Sequence, residues 1–276
     1  MGKISYKSND QTIDIHYQDH GEGKPVVLIH GWPLSHTSWQ NQSTSLVNAG
    51  YRVIAYDRRG FGDSSAADAY DYDALSGDLH ALLEELNLEK VTLVGFSMGG
   101  GEVIRYVTNY GTSRLSKLAL IASIIPLVKQ KADNPQGVPE QDLDEILKNL
   151  KENRIGFLKE FHQQFYNADK HPSAVPESQL DADLAVSSAA DANATIEAAR
   201  AWMDTDFRAE LETISLPTLI VHGNEDNTVP IATSAEQAAK LIRNSELKVY
   251  EKAPHGLNIT HAEQLNRDLL QFLESN

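Results

Sequence analysis

Short apolar runs alternate along the chain with longer segments of helical period. Residues 13–17 alternate apolar and polar positions, as expected for a strand with one exposed face. Continuous apolar runs, which suit strands buried on both faces, recur at 26–29, 51–56, 91–94, 118–122 and 218–222. Residues 72–86 carry leucines at helical spacing, and 99–110 is a second helical segment. This alternation predicts an α/β fold with a mostly parallel central sheet flanked by helices.

The pattern changes between about residues 124 and 213. No buried-strand run occurs there, and helical segments such as 143–150 and 157–165 follow one another, separated by prolines. After Pro217 the alternation of strands and helices resumes. We therefore predict one α/β core formed by residues 1–123 and 214–276, interrupted by a helical cap at 124–213, rather than two tandem domains.

Composition and charge narrow the possible functions. The chain has 276 residues, a formal net charge of −15 and no cysteine. The acidic balance argues against nucleic-acid and membrane-surface binding, both of which need a basic face. The lack of cysteine excludes a thiol nucleophile and disulfides. The N-terminal residues contain no apolar leader and no apolar run is long enough to span a bilayer, so we expect a cytoplasmic protein.

The segment 91–101, VTLVGFSMGGG, reads as a buried strand that runs through G-x-S-x-G into a helix. A serine on such a tight turn projects its oxygen above the sheet, and the following helix directs backbone N–H groups at the same place. Gly95 and Gly99 lack a Cβ, so neighbouring backbone can approach the turn closely. In this context the motif predicts Ser97 as the nucleophile of an α/β-hydrolase fold.

A serine nucleophile needs a base to take its proton and an acid to orient that base. In this fold both partners follow the serine along the chain, the acid first. The downstream histidines are His162, His171, His222, His255 and His261. The first two fall in the predicted cap, the third ends a predicted strand, where packing explains it, and the last lies in a helical pattern. His255 instead follows the strand-like segment 247–250 in the loop APHG, so it is the predicted base.

The acid is predicted in the turn that follows the run at 218–222. Asp226 is the first candidate there, and Glu225 is the alternative, because adjacent side chains in a turn point in different directions. The oxyanion donors are predicted to be the backbone N–H groups of Trp32 and Met98. Pro33 has no N–H and cannot donate. It restricts the backbone of Trp32, whose carbonyl is then a candidate acceptor for a hydrogen bond from peroxide.

The chain resembles a known family, the cofactor-free (non-haem) bacterial haloperoxidases, which are esterases and perhydrolases. The segments that carry the resemblance are HGWPLSHTSWQNQ (30–42), YDRRGFGDSS (56–65), GFSMGGGEVIRY (95–106), TDFRAEL (205–211) and KVYEKAPHGLNITHAEQLNRDLLQFL (248–273). The resemblance implies a Ser97–His255–Asp226 triad that hydrolyses small carboxylic esters through an acyl-serine. It also implies that hydrogen peroxide can accept the acyl group to give a peracid, with no haem, metal or flavin.

The predicted cap contains aromatic residues that are candidates for the substrate pocket. These are Phe157, Phe161, Phe165 and Trp202, with Trp32 and Pro33 facing them from the core. A core role explains each aromatic equally well. A lactamase or amidase, a hydroxynitrile lyase and a low-turnover ligand receptor of the same fold are compatible with the same catalytic residues. A homo-oligomer is also compatible with the sequence, since closed oligomers are common among soluble enzymes.

Overall fold

One central sheet organises the protein. The computed structural model describes residues 1–8 and 10–275, in which eight strands form a single sheet. The strands are β1 (Gly2–Ser8), β2 (Gln11–His20), β3 (Pro25–Ile29), β4 (Arg52–Tyr56), β5 (Val91–Phe96), β6 (Leu115–Ile121), β7 (Thr218–Gly223) and β8 (Ser245–Tyr250). They lie in the order β1-β2-β4-β3-β5-β6-β7-β8. The strands from β4 to β8 in this order are parallel, and β1 and β2 pair antiparallel at one edge. The predicted α/β fold with a mostly parallel sheet is confirmed.

The apolar runs form strands because both faces of the sheet are covered. In β3, Val26 and Leu28 belong to one apolar cluster, whereas Val27 and Ile29 belong to the cluster on the opposite face. A run of consecutive apolar residues therefore loses contact with water on both sides, which is the pattern of a buried parallel strand.

The sequence does not predict β1. This edge strand contains lysine, serine and tyrosine, and only Ile4 is buried. It forms because its backbone pairs antiparallel with β2, with Ile4 opposite Ile15. The pairing between the two strands, rather than an apolar run, makes this segment a strand.

Eleven helices surround the sheet among the described residues. They are α1 (Gln40–Asn48), α2 (Tyr72–Glu85), α3 (Met98–Tyr110), α4 (Glu140–Glu152), α5 (Arg154–Phe165), α6 (Glu177–Ala189), α7 (Ala192–Asp204), α8 (Arg208–Leu211), α9 (Ala235–Leu241), α10 (Leu257–Thr260) and α11 (Ala262–Glu274). Helices α1 and α11 cover one face through Leu46 and Leu265, and α2 and α3 cover the other through Leu75 and Val103. In the part of the chain that the structure describes, no helix is long and apolar enough to cross a membrane.

Helices α4 to α8 lie between β6 and β7 along the chain. The predicted helical segments 143–150 and 157–165 are confirmed as parts of α4 and α5. Helix α4 buries Leu143, Leu147 and Leu150 on one face against the apolar cluster that also contains α2 and α3. Helix α5 contributes to both clusters, through Leu158 on one side and Phe165 on the other. The division of the chain into a core and a separate cap at 124–213 stays a prediction.

Candidate active site

Ser97 occupies the turn between β5 and α3. Its backbone has φ 52° and ψ −118°, a left-handed conformation that is unfavourable for a residue with a side chain. A Cβ on Gly95 would lie 2.5 Å from the carbonyl oxygen of Gly99, and a Cβ on Gly99 would lie 2.6 Å from that of Ile29. The close backbone approach predicted for both glycines is confirmed. The strained turn leaves the Ser97 side chain facing a cavity beyond the end of β5.

Three side chains from separate loops meet at this turn. Nε2 of His255, in the loop after β8, lies 2.9 Å from Ser97 Oγ. Nδ1 of the same ring lies 2.7 Å from Oδ2 of Asp226, in the loop after β7. If Nδ1–H donates to the carboxylate, Nε2 is free to accept the hydroxyl hydrogen of Ser97. The structure thus brings together the three residues predicted as nucleophile, base and acid, all of them buried.

The loop after β7 holds Asp226 as a carboxylate. Backbone N–H groups of Thr228 and Val229 donate to its Oδ1 at 3.0 and 2.7 Å. Burial alone raises the pKa of Asp226, but the electrostatic attraction of the neighbouring His255 ring and hydrogen bonds to the carboxylate hold that pKa well below its usual value. The alternative acid, Glu225, is exposed, and its carboxylate accepts no hydrogen bond among the described residues. The backbone donors therefore decide which of the two adjacent carboxylates faces His255.

Two backbone N–H groups near Ser97 are available to a ligand. Those of Trp32 and Met98 donate to no acceptor among the described residues. Met98 is the first residue of α3, where an N–H has no partner within the helix. The loop that carries Trp32 touches the nucleophile, since a Cβ on Gly31 would lie 3.1 Å from Ser97 Cβ. This pair suits an oxyanion hole, and its role stays a prediction.

A buried ion pair supports the loop that carries Trp32. Arg58 pairs with Glu102 of α3, and its guanidinium donates to the His30 carbonyl at 2.7 Å. The Arg58 backbone N–H donates to Nε2 of His30 at 3.0 Å, and Tyr56 donates to Glu102 at 2.6 Å. Burial, together with the nearby Arg58 charge, lowers the pKa of His30 to about 3, so its ring is neutral. The oxyanion loop is therefore attached to the helix that follows the nucleophile.

A cavity of about 280 Å³ opens beside Ser97 and His255. Its walls combine aromatic and aliphatic side chains from the core and from α4, α5 and α7. They include Trp32, Ile124, Val128, Leu143, Phe157, Phe161 and Trp202. The ring of Trp32 packs against Phe161 and Trp202, with centroids 5.2 and 5.9 Å apart. Four of the predicted pocket residues thus surround one cavity, and substrate binding by them stays a prediction.

Two other candidates for the pocket lie elsewhere. Pro33 is buried and is not among the residues that line the cavity. Phe165 is also outside the lining, and its ring packs edge-on against His255 with centroids 4.9 Å apart. Of the two roles considered for Phe165, pocket wall or core, the structure favours the core role, because the ring packs on the base. His162 is buried in α5 with Nε2 2.9 Å from Ser187 Oγ, and burial lowers its pKa to about 4.

The end of α5 is hydrogen-bonded to both catalytic loops. Gly256 N–H, next to His255, donates to the Phe165 carbonyl at 2.9 Å. The Asn167 side chain donates to the Glu225 carbonyl at 2.8 Å and accepts from the Asn227 side chain at 2.7 Å. Sequence reasoning missed Asn167, because nothing in its local pattern marks it. Its left-handed φ of 55° just after the helix is visible only in the structure.

Next to the end of α5, Asp183 of α6 is buried and forms no ion pair with any residue that the structure describes. Tyr166 O–H and the Gln179 amide donate to it at 2.5 and 3.0 Å. Burial raises the pKa of Asp183 to about 6, although both hydrogen bonds act to lower it. The raised pKa favours the protonated acid in the folded protein. The protonated Asp183 side chain contributes its full stabilisation of the folded protein below the unfolded pKa of 3.8. This contribution is lost as the pH rises through the folded pKa of about 6.

Asp183→Asn is therefore expected to stabilise the protein at pH 8, by about 2–3 kcal/mol, because the amide stays neutral there. In thermal melts the variant should unfold about 5 °C higher than the wild type at pH 8. At pH 4 the two curves should coincide. Asp181→Asn, an exposed position of the same helix, is the matched control and should melt like the wild type at both pH values. A gain for Asp183→Asn at pH 4 as large as at pH 8 would contradict the assignment.

Comparison with known proteins identifies the family. The sequence model that describes the α/β-hydrolase fold matches residues 24–262. The chain belongs to the α/β-hydrolase family. The predicted fold family is thereby confirmed.

Full-length relatives of this α/β hydrolase carry haloperoxidase and esterase names. A non-haem chloroperoxidase of Kitasatospora aureofaciens is 41% identical over 264 residues, which cover 95% of this chain and 96% of the relative. A bifunctional esterase/perhydrolase of Acinetobacter calcoaceticus is 35% identical over 276 residues, 99% of this chain and all of the relative. The crystal structure of a bromoperoxidase from Bacillus anthracis superposes with a TM-score of 0.95 at 44% identity, covering 99% of this chain and 100% of that one. The resemblance to non-haem haloperoxidases is confirmed.

Proposed function

We propose that this α/β hydrolase cleaves small carboxylic esters by acyl transfer through Ser97. The observation that carries the proposal is the 2.9 Å contact between His255 Nε2 and Ser97 Oγ, on a strained turn at the wall of an apolar cavity. A serine hydroxyl is a weak nucleophile, and a positioned imidazole activates it. Asp226 supports the assignment of His255 as base, since its carboxylate fixes the ring and stabilises the imidazolium that forms.

The reaction proceeds in two transfers. Ser97 Oγ attacks the ester carbonyl carbon while His255 Nε2 takes the hydroxyl proton. The N–H groups of Trp32 and Met98 then stabilise the oxyanion of the tetrahedral intermediate. His255 returns its proton to the alkoxide, the carbon–oxygen bond breaks, and the alcohol leaves an acyl-serine. Water attacks this ester by the same steps, which releases the carboxylic acid and regenerates Ser97.

The cavity supports a small, uncharged acyl group. At about 280 Å³ it lies just below the usual range for ligand pockets, roughly 300–1,000 Å³. Its lining contains no aspartate, glutamate, lysine or arginine among the described residues. A charged acyl chain would lose its hydration there without gaining an aspartate, glutamate, lysine or arginine of opposite charge from the described lining. Neutral aryl and alkyl esters therefore fit the site best.

Hydrogen peroxide is the second acceptor that we propose. It would attack the acyl-serine in place of water and leave as a peracid, which oxidises halide away from the protein. The names of the relatives, a non-haem chloroperoxidase and an esterase/perhydrolase, support this step. So does the carbonyl of Trp32, which accepts no hydrogen bond within the described chain and is thus available to a peroxide O–H beside the acyl group.

Pro33→Leu is expected to lower the ratio of peracid formation to hydrolysis, by about tenfold, because it frees the Trp32 backbone and removes one directed hydrogen bond. The ratio is measured with an acetate ester and hydrogen peroxide, by titrating peracetic acid against total alcohol released. Total acyl transfer should change little, which separates this effect from a damaged active site. Peracid formation at an unchanged ratio would rule out the role assigned to Pro33.

A further inference from the structure

A second histidine lies against the acid of the proposed triad. His222 is the penultimate residue of β7, four positions before Asp226, and is fully buried. Its Nε2 lies 2.7 Å from the Val229 carbonyl oxygen and 3.1 Å from Asp226 Oδ2. The mechanism derived above assigns this residue no part. Its position at the end of a strand suits simple packing, but its Nε2 meets the Asp226 carboxylate as well as the Val229 carbonyl and, at 3.4 Å, Ser234 Oγ.

The contacts fix the protonation of Nε2 in the ring. The Val229 carbonyl and the Asp226 carboxylate can only accept, and the Ser234 hydroxyl gives its own hydrogen to the Pro230 carbonyl. Nε2 therefore carries a hydrogen and directs it at the Val229 carbonyl. Nδ1 is buried with no hydrogen-bond partner among the described residues. The contacts therefore make Nε2 of His222 a hydrogen-bond donor.

The His222 ring acts on both carboxylate oxygens of Asp226, on Oδ2 directly and on Oδ1 through Val229. Val229 donates its N–H to Asp226 Oδ1 at 2.7 Å, while its carbonyl accepts from His222. The same Nε2–H presents its positive end to Oδ2, the oxygen that accepts from His255. One imidazole thus holds the residue whose N–H donates to one carboxylate oxygen, and it stabilises charge on the other oxygen.

We propose that His222 is a positioning residue that sets the direction and strength of the bond between Asp226 and His255. This inference rests on the proposed function, because it concerns the acid and base of that triad. The ionisable side chains that bear on the Asp226 carboxylate are His222 from β7 and His255 from the loop after β8. Without the His222 donor, Oδ2 concentrates more negative charge and favours the imidazolium of His255. A larger fraction of the base is then protonated, and inactive, in mild acid.

Three variants separate this role from packing. His222→Gln places an amide N–H close to the position of Nε2, whereas the amide of His222→Asn is too short to reach Asp226. His222→Leu keeps volume and removes the donor. For Asn and Leu we expect the acid limb of kcat/KM for p-nitrophenyl acetate to move up by about one pH unit, and kcat to fall about tenfold with KM nearly unchanged. For His222→Gln we expect a kcat within about threefold of the wild type and an acid limb at the wild-type pH.

The Gln and Asn variants form a matched pair, so the test stands even if the Leu variant does not fold. If His222→Gln and His222→Asn lowered kcat equally and left the acid limb of kcat/KM at its wild-type pH, His222 would have a packing role and the proposal would be wrong. Wild-type behaviour of Asn and Leu would also overturn the proposal. The low-field proton resonance of the bond between His255 and Asp226 supplies a readout that needs no turnover, and it should shift in Asn and Leu but not in Gln. If turnover survived the substitution Ser97→Ala, the proposed function would be refuted instead. The resonance would still decide the role of His222.

Discussion

Ser97→Ala is expected to lower kcat for p-nitrophenyl acetate by about 10⁴-fold or more, leaving only the residual catalysis of the binding site and oxyanion donors. The reason is chemical, because alanine cannot form the acyl-enzyme and His255 then has no hydroxyl to activate. KM should change much less than kcat, since the methyl group of alanine still fits the wall of the cavity. Initial rates of p-nitrophenol release from the purified wild type and variant measure the effect.

Ser123→Ala is the matched control for this experiment. Ser123 is also buried, and its hydroxyl donates to the Ser97 carbonyl at 3.3 Å rather than facing His255. Losing this neutral hydrogen bond should cost less than about tenfold in kcat. Similar rates in the wild type and Ser97→Ala would refute an acyl-serine mechanism. A large loss in Ser123→Ala alone would show that the geometry of the turn, and not the Ser97 hydroxyl, limits the rate.

Asp226→Asn should lower kcat/KM by about 10³–10⁴-fold, although it replaces only one oxygen by nitrogen. The amide cannot stabilise the imidazolium of His255, and an N–H directed at Nδ1 favours the wrong tautomer of the ring. Thermal unfolding measured in parallel shows whether the variant keeps its fold. The kinetic loss should persist in protein that is fully folded.

Glu225→Gln tests the same chemistry one residue away. This side chain is exposed, and the hydrogen bond from Asn167 goes to the Glu225 backbone carbonyl, which the substitution leaves in place. The variant should therefore keep activity within about twofold, as surface substitutions usually do. If Glu225→Gln were the more damaging of the two, the assignment of the acid would have to be exchanged.

The sequence predicts the catalytic geometry because the fold constrains it strongly. Buried parallel strands are visible as apolar runs, and Ser97 and Asp226 lie in the turns after two of them. His255 follows the strand-like segment 247–250, which is less apolar. The order of nucleophile, acid and base along the chain then leaves few candidates. The choice between Asp226 and Glu225 is beyond the sequence, because it depends on which carboxylate meets the N–H groups of Thr228 and Val229.

The residues that support the proposed triad cannot be predicted from the sequence, because their contacts form only when distant segments or turning loops come together. Asn167, in the turn after α5, reaches a backbone carbonyl that lies 58 positions further along the chain. His222 has the local signature of a strand residue, and its contact with Asp226 appears only when the following loop turns back. The sequence signal that could have marked it is a histidine four positions before the acid. β1 is hidden in the same way, since it depends on its partner strand.

Helix α5 has a consequence for how substrate range can change. Phe157, Phe161 and Phe165 recur every fourth residue and so share one face of the helix. The first two line the cavity, and the third packs on His255. The residues just beyond are tied to both catalytic loops. Substitutions in the first turns of α5 can therefore change the specificity of the cavity. Its last turn tolerates less change, because it contacts His255 and the two catalytic loops.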